Sequence, residues 1–271
     1  SARQCNLQTT ITSKAFLERF PKIEIPGRTL LLEEVLDKPR AAEKLAALSL
    51  AWLLPYRLLK AALGAVRRTD SDLATVIFSS GSTGVPKGVM LTQSNIVGEL
   101  QSIFGAIHAD HNDALLCLLP LQHVLASVIN VLVPLYVGGQ VVFADTLKRS
   151  EILQALEEAG ITILATVPQF FYLFHNRIEE ELSRQPPHIR KLYRAMLRLN
   201  RFSMRVLKVN LGKVLFSKVH RSFGTRLRLF VSGGSSFDPK VAQDFHDMGF
   251  TILQGYGLTE SAPVISFNCP K

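Results

Sequence analysis

Four stretches of the chain set hydroxyl, glycine or charged residues directly after apolar, strand-forming runs. In residues 75–92, TVIFSSGSTGVPKGVMLT, the run TVIF empties into Ser79, Ser80, Gly81, Ser82, Thr83 and Gly84, with Lys87 close behind. Such hydroxyls and unobstructed backbone N–H groups suit phosphate oxygens, and the lysine adds positive charge. It is not a Walker loop, because Pro86 precedes Lys87 and Gly88 follows it. A Ser/Gly-rich turn between two strands would have the same composition.

The second stretch is PLQH, Pro120 to His123, where the histidine can line a pocket, shuttle a proton or serve only the structure. In the third, VSGGSSFDP, Gly233 and Gly234 let a flat ligand approach the backbone, and a tight strand-to-helix turn explains them almost as well. The fourth, QGYGLTE, runs from Gln254 to Glu260. There Tyr256 can stack on a base, Thr259 can bind a phosphate, and Glu260 can hold Mg²⁺ through oxygen.

These residues need a scaffold that brings loops after different strands to one place. From residue 70 onward the pattern alternates: strand and loop, strand GVML, a helix starting near Thr92 to Asn95, strand LLCLLP, and an apolar helix to Leu135. Then come strand QVVFA, helix RSEILQALEEAG, strand ITILATVP, a basic segment, strand RLRLFVSGG, helix DPKVAQDFHDMG and strand TILQGYG. The alternation predicts an α/β fold with a mostly parallel sheet covered by helices on both faces, where ligands bind beyond the strand C-termini. Upstream, residues 1–40 suit extended segments and turns. Residues 41–68 suit an Ala/Leu-rich helix, broken or kinked at Pro55.

With 271 residues and 47% hydrophobic content, the chain can bury a sizeable core. Cys5, Cys117 and Cys269 are odd in number and more than a hundred residues apart, which suits neither a disulfide framework nor a compact metal site. A reducing, cytoplasmic setting is the expectation. The N-terminal residues lack the pattern of a secretory signal. Residues 114–144 contain no charged side chain, the length of a membrane span, but Pro120, Pro134, Gln122, His123 and the Gly138-Gly139 pair divide them into pieces of buried-strand and buried-helix size.

Net charge is +9, and residues 182–228 hold thirteen Lys or Arg with no Asp or Glu. Arg190, Arg194, Arg198, Arg201, Arg205 and Lys208 fall in a helical arc of about 80°, with Leu192, Met196, Leu199 and Val206 roughly opposite. Such a helix near 190–208 suits either the inner face of an anionic membrane or a solvated face over a core. Nucleic acid is not expected, because no stacking aromatics or fingerprint accompany the charge.

Taken together, SSGSTGVPKG, PLQH, VSGG and GYGLTE resemble, in order and approximate spacing, the motifs of the adenylate-forming superfamily of acyl-CoA synthetases, luciferases and peptide-synthetase adenylation domains. The resemblance covers residues 70–271 as an AMP-binding core, with residues 1–69 as a lead-in segment of the same domain carrying an amphipathic helix. It implies an incomplete copy of the family's large N-terminal domain. The run ATVPQFFYLFHNRI, the basic segment and KVLFSKVHRSFGTRLRLFVSGG are similar to long-chain fatty acyl-CoA synthetases, whereas residues 1–68 look more like acyl-acyl-carrier-protein synthetases linked to phospholipid remodelling. An amino-acid substrate needs a carboxylate to pair its ammonium, and the uncharged wall of residues 114–144 fits an acyl chain better.

The resemblance implies two steps: a fatty carboxylate attacks the α-phosphate of Mg·ATP to give acyl-AMP and pyrophosphate, then a thiol of CoA or acyl-carrier protein takes the acyl group. Ser79 to Gly84 and Lys87 would hold the departing pyrophosphate, with Mg²⁺ on Glu260 and Thr259 on the α-phosphate. Tyr256 and the Gly233-Gly234 turn would sandwich the adenine, and Ser235 and Gly255 join the nucleotide-binding set. His123 and Gly257 would meet the acyl carbonyl. Where some long-chain synthetases carry an aromatic gate, this chain has Ala126 and Ser127. The family's downstream ribose aspartate, hinge and small C-terminal domain with its adenylation lysine are not found, so the expectation is a fragment of a longer enzyme that turns over poorly alone. A non-catalytic nucleotide- or acyl-binding module and a membrane-associated scaffold are the rival readings.

Overall fold

A computed structural model describes residues 4–35, 40–62, 69–79, 86–144 and 148–268. The chain divides into two compact units, residues 1–69 with 80–88, and residues 70–79 with 89–271.

In the first unit, β1 (Thr9–Thr12) pairs in parallel with β2 (Arg28–Leu31), Thr9 opposite Arg28 and Thr12 opposite Leu31. Between them α1 (Lys14–Arg19) is capped by Ser13, whose hydroxyl accepts from the Phe16 N–H at 3.1 Å. After α2 (Leu32–Val35) come α3 (Ala41–Leu53) and α4 (Tyr56–Ala62), and the expected single helix is indeed interrupted at Leu54 and Pro55. No residue of α3 is buried, and Trp52 is 90% exposed.

In the second unit β3 (Leu73–Ser79) comes first, then the larger part of β4 (Lys87–Thr92), whose residues from Val89 onward belong to this unit; β3 and β4 form a two-stranded sheet. Thr92 caps α5 (Gln93–Ala106) by a reciprocal arrangement: its hydroxyl accepts from the Asn95 N–H at 3.3 Å, and its own N–H donates to Asn95 Oδ1 at 2.9 Å. Then follow β5 (Ala114–Cys117), a π-helical stretch Ala126–Leu132 running into α6 (Val133–Val137), β6 (Gln140–Phe143), α7 (Arg149–Glu158), β7 (Ile163–Thr166), α8 (Pro168–Ser183) and α9 (Pro187–Phe202). After a second π-helical stretch, Ser203–Leu207, come α10 (Gly212–Leu215), α11 (Ser217–Ser222), β8 (Leu229–Ser232), α12 (Pro239–Asp247), β9 (Ile252–Gly257) and β10 (Val264–Phe267). Proline opens α8, α9 and α12, where a missing N–H costs nothing.

Six strands form one sheet in the order β10-β9-β8-β7-β5-β6, parallel except for β10, which returns antiparallel to β9. Every residue of β5, β7 and β8 is buried. Alternation along them builds two cores. Leu116, Leu164 and Phe230 pack with Phe171, Phe223 and Phe245 on one face, while Leu115, Ile163 and Val231 pack with Ile103, Val128 and Ile129 on the other. The uncharged run 114–144 is therefore spent on β5, the π-helical stretch, α6 and β6, and among the described residues no helix is long and apolar enough to cross a membrane.

Candidate nucleotide and acyl site

The parallel strands place their C-terminal ends along one sheet edge. There the register sets Thr166 of β7 opposite Ser232 of β8, and Ser232 opposite Gln254 of β9, so a polar row crosses the strand ends. His123 and the Gly233 to Ser235 turn follow β5 and β8 on this edge, where β9 ends in Gly255, Tyr256 and Gly257 and leads into Leu258 to Glu260.

His123 sits in a turn closed by its N–H donating to the Pro120 carbonyl at 3.1 Å. Its own carbonyl accepts from the N–H groups of Ala126 at 3.0 Å and Ser127 at 3.1 Å, so its backbone starts the next helical segment while the side chain stays exposed. Ala126 is wholly buried and Ser127 Oγ bonds to the Val124 carbonyl at 3.2 Å, so both serve that segment's own packing.

Glycine is favoured at Gly233 and required at Gly234 and Gly257 for reasons internal to the fold. The Gly233 N–H donates to the Thr166 carbonyl at 3.1 Å, and a Cβ there would lie 3.1 Å from Leu125 Cδ1. Gly234 adopts φ 83°, a left-handed conformation that side chains resist. A Cβ on Gly257 would come 1.8 Å from the Pro263 carbonyl oxygen, since β10 folds back tightly against β9. These contacts account for residue type and leave the ligand role of each glycine to chemistry.

Between β9 and β10, Thr259 to Ser261 form one 3₁₀ turn. The Leu258 N–H donates to Ser261 Oγ at 3.0 Å, and that hydroxyl donates to the Pro263 carbonyl at 2.8 Å, fixing the turn from within. Tyr256 is 63% exposed, Thr259 half-buried and Glu260 exposed. Among the described residues no protein group pairs with the Glu260 carboxylate, a hard oxygen donor of the sort a magnesium ion takes. An exposed aromatic beside a glycine turn and a free carboxylate beside a hydroxyl fit a nucleotide with its cation.

Ser79 ends β3, half-buried, and Lys87 opens β4, exposed. Ser80, Gly81, Ser82, Thr83 and Gly84 lie outside the described residues, as does Cys269. Two groups escaped the sequence reading. Asn130 is completely buried in the first π-helical stretch, donating from Nδ2 to the Ala165 carbonyl at 3.2 Å, and its Oδ1 has no partner among the described residues. Ser232 Oγ, directly before the glycine pair, is likewise buried and unpartnered there. Residue type offered no signal for Asn130, because the uncharged run 114–144 also holds the amides Gln122 and Gln140.

The opposite edge is saturated. Asp113 accepts from Arg228 at 2.7 and 3.1 Å, from the Thr162 hydroxyl at 2.6 Å and from the Asp110 N–H at 2.9 Å. Burial pushes the Asp113 carboxyl up, but these hydrogen bonds and the Arg228 charge outweigh it and hold it below the usual range. On α5, burial dominates: Glu99 is pushed up, although its Oε1 accepts from the Val264 N–H of β10 at 2.9 Å.

A family model described as AMP-binding enzyme matches residues 4–271. The chain is 32% identical over 200 residues to long-chain-fatty-acid–CoA ligase 2 of Schizosaccharomyces pombe, covering 70% of this chain and 29% of that protein. It is 29% identical over 256 residues to long-chain-fatty-acid–CoA ligase FadD15 of Mycobacterium bovis, covering 88% and 41%. It thus spans well under half the length of the curated relatives it matches. Among solved structures, o-succinylbenzoate coenzyme A synthetase of Bacillus subtilis in complex with ATP and magnesium ion shares the fold at TM-score 0.62 and 17% identity, over 99% of this chain and 43% of that one.

Proposed function

The chain belongs to the AMP-binding enzyme family, and on that footing we propose that it is the nucleotide- and acyl-binding part of an ATP-dependent, AMP-forming long-chain fatty acid–CoA ligase. What carries the reading is the exposed Tyr256–Glu260 segment at the C-terminal sheet edge, together with relatives that are CoA ligases for long-chain fatty acids.

In the proposed reaction a fatty carboxylate oxygen bonds to the α-phosphorus of ATP and the bond to pyrophosphate breaks. The CoA sulfur then bonds to the acyl carbon, and AMP leaves. Phosphoryl transfer of this kind rests on positioning and charge neutralisation. Tyr256 would stack on the adenine beside Gly233, Gly234, Ser235 and Gly255, and Thr259 would donate to the α-phosphate. Glu260 would hold Mg²⁺, whose charge offsets that building on the phosphates. Ser79 to Gly84 with Lys87 would hold the β- and γ-phosphates, while His123 and Gly257 would border the acyl carbonyl. The segment 1–69 is assigned to the same domain as the AMP-binding core.

A chain spanning 29% and 41% of such relatives is proposed to bind nucleotide weakly and turn over slowly by itself. Peripheral contact of the basic helix with a membrane belongs to the same proposal, because the substrate partitions into lipid. The test is ATP–pyrophosphate exchange by the complete protein across fatty-acid chain lengths, followed by thioester formation with CoA. Exchange that depends on a long-chain acid is expected, and its absence with every acid would overturn the reading.

A further inference from the structure

The fold sorts α9 into three stripes, and only one of them faces the core. Tyr193, Met196, Leu197 and Asn200 turn inward, with Asn200 completely buried and its Nδ2 donating to the Asp247 carbonyl at 2.9 Å. Leu192, Ala195, Leu199 and Phe202 fall within an arc of about 80°, centred roughly 130° from that inward stripe. They stay in water: Leu192 is 56% exposed, Leu199 50% and Phe202 58%. Arg190, Lys191, Arg194 and Arg198 make the third stripe, between the other two and exposed. Helical spacing sets Leu192, Leu199 and Val206 with Met196 opposite the charges, but of these four only Met196 joins the partly buried packing, since Asn200 and Arg201 fix how α9 rolls onto α12.

Arg201 accordingly leaves the free basic set. It pairs with Asp247, which is completely buried and also accepts from Gln243 at 2.7 Å. Arg190, Lys191, Arg194, Arg198, Arg205 and Lys208 have no ion-pair partner among the described residues, and no acidic residue occurs in 182–228. The apolar stripe continues past α9 into Val206 and Leu207, 57% and 62% exposed.

We infer that α9 and the turn after it lie flat on an anionic lipid bilayer, with Leu192, Leu199 and Phe202 sunk just below the headgroups and the free arginines against the phosphates. This deepens the membrane contact proposed above. A large apolar side chain left in water beside an unpaired basic row is the arrangement of an interfacial helix, and two weak signals together are what stable attachment needs. Charge complementarity selects the partner: residues 182–228 offer cations and alkyl groups, with no carboxylate among them to recognise a basic protein.

The test is flotation of the complete protein with vesicles of phosphatidylcholine alone or with roughly one third phosphatidylglycerol. Wild type should float with the anionic vesicles and stay down with neutral ones. A Leu199→Asp, Phe202→Asp variant and an Arg194→Glu, Arg198→Glu variant should each lose about tenfold in binding, and wild-type binding should fall as salt rises from about 0.1 to about 0.5 M. Lys240→Glu, on α12, should change nothing. All five sites are exposed, and unchanged far-ultraviolet dichroism and melting confirm folding. A Phe202→Trp probe should shift its emission to the blue on anionic vesicles. Unaltered flotation of both double variants, no blue shift, equal binding to neutral vesicles, or a stripe that changes only self-association would each overturn the inference. Pyrophosphate exchange with a water-soluble medium-chain acid, measured on the same variants, keeps this outcome separate from the enzymatic reading: exchange should persist in variants that no longer float.

Discussion

At the N-terminal edge of the six-stranded sheet Asp113 accepts hydrogen bonds from Arg228, Thr162 and Asp110, while at the C-terminal edge Tyr256 and Glu260 stand exposed and Ser232 and Asn130 each keep a buried polar atom unpartnered among the described residues. Both edges belong to the same strands. At one of them the polar groups satisfy each other, so they hold loops and strand starts in place. At the other the Ser261 hydroxyl satisfies the backbone of its own turn and leaves Tyr256 and Glu260 for a ligand. Saturated polar groups stabilise a fold, and unsatisfied ones are kept where a ligand completes them.

The sharpest way to break that contrast is to remove a group from each edge. In the complete protein, Glu260→Ala or Lys87→Ala should lower pyrophosphate exchange by about 100- to 1000-fold, the range for losing one group that stabilises transition-state charge. Melting should hardly move, because both side chains are exposed. Exchange within threefold or so of wild type would take either residue out of the site.

Asp113→Ala should do the reverse. Its removal takes the carboxylate acceptor from the Arg228 guanidinium and the Thr162 hydroxyl, leaving them the His108 and Ala114 carbonyls. Arg228 is 40% exposed and can turn to water, so the loss should be about 2–3 kcal/mol rather than the larger cost of a fully buried orphan charge. Chemical denaturation reads this directly, and exchange per folded molecule should be retained. A midpoint equal to wild type would mean that the paired edge is not a stability device.

The same edge should show in the acid limb of the stability curve. Asp113 and Asp247 are both pushed up by burial but held below the usual carboxylate range by their polar neighbours: hydrogen bonds from Arg228 and Thr162 on one, and hydrogen bonds from Arg201 and Gln243 with the His246 ring 3.9 Å away on the other. A depressed folded value means the stabilisation is present above the ordinary Asp value, about 4, and is lost as pH falls through the folded one. Wild type should therefore lose stability below about pH 4, and Asp113→Asn and Asp247→Asn should each flatten that slope. Curves that stay parallel in acid would remove these carboxyls as its cause.

How much of this was legible in the sequence follows from where the information is local. The strand-helix alternation was readable because β5, β7 and β8 are buried on both faces and so carry unbroken apolar runs. The motif segments after β5, β8 and β9 were legible because punctuation by Gly, Ser and Pro survives in any context. What escaped depended on residues distant in sequence meeting in space. Gly257 looked like a ligand contact, yet its lack of a side chain is already required by the Pro263 carbonyl of the returning β10. Arg201 looked like one of six equivalent cations until Asp247, 46 residues away, claimed it. Asn130 and Ser232 gave no signal in type or spacing, because an orphaned polar atom is a property of its neighbours.

The smallest effect concerns the join between the two kinds of edge. Glu99 reaches from α5 to the Val264 N–H of β10, the strand that follows the Thr259–Ser261 turn, and burial raises its carboxyl pKa against that hydrogen bond. A raised folded value gives stabilisation that is fully present below the ordinary Glu value, about 4, and lost as pH rises through the folded one. Glu99→Gln keeps a carbonyl for the Val264 N–H and removes the buried charge. At neutral pH it should match wild type or exceed it by up to about 1 kcal/mol, with the pH dependence above the carboxylate range reduced. If Glu99→Gln instead lost more than about 1 kcal/mol at pH 7 and slowed exchange, the ionised carboxylate would be needed there. Glu99 would then belong with the ligand edge, as a negative group set behind the turn that carries Glu260.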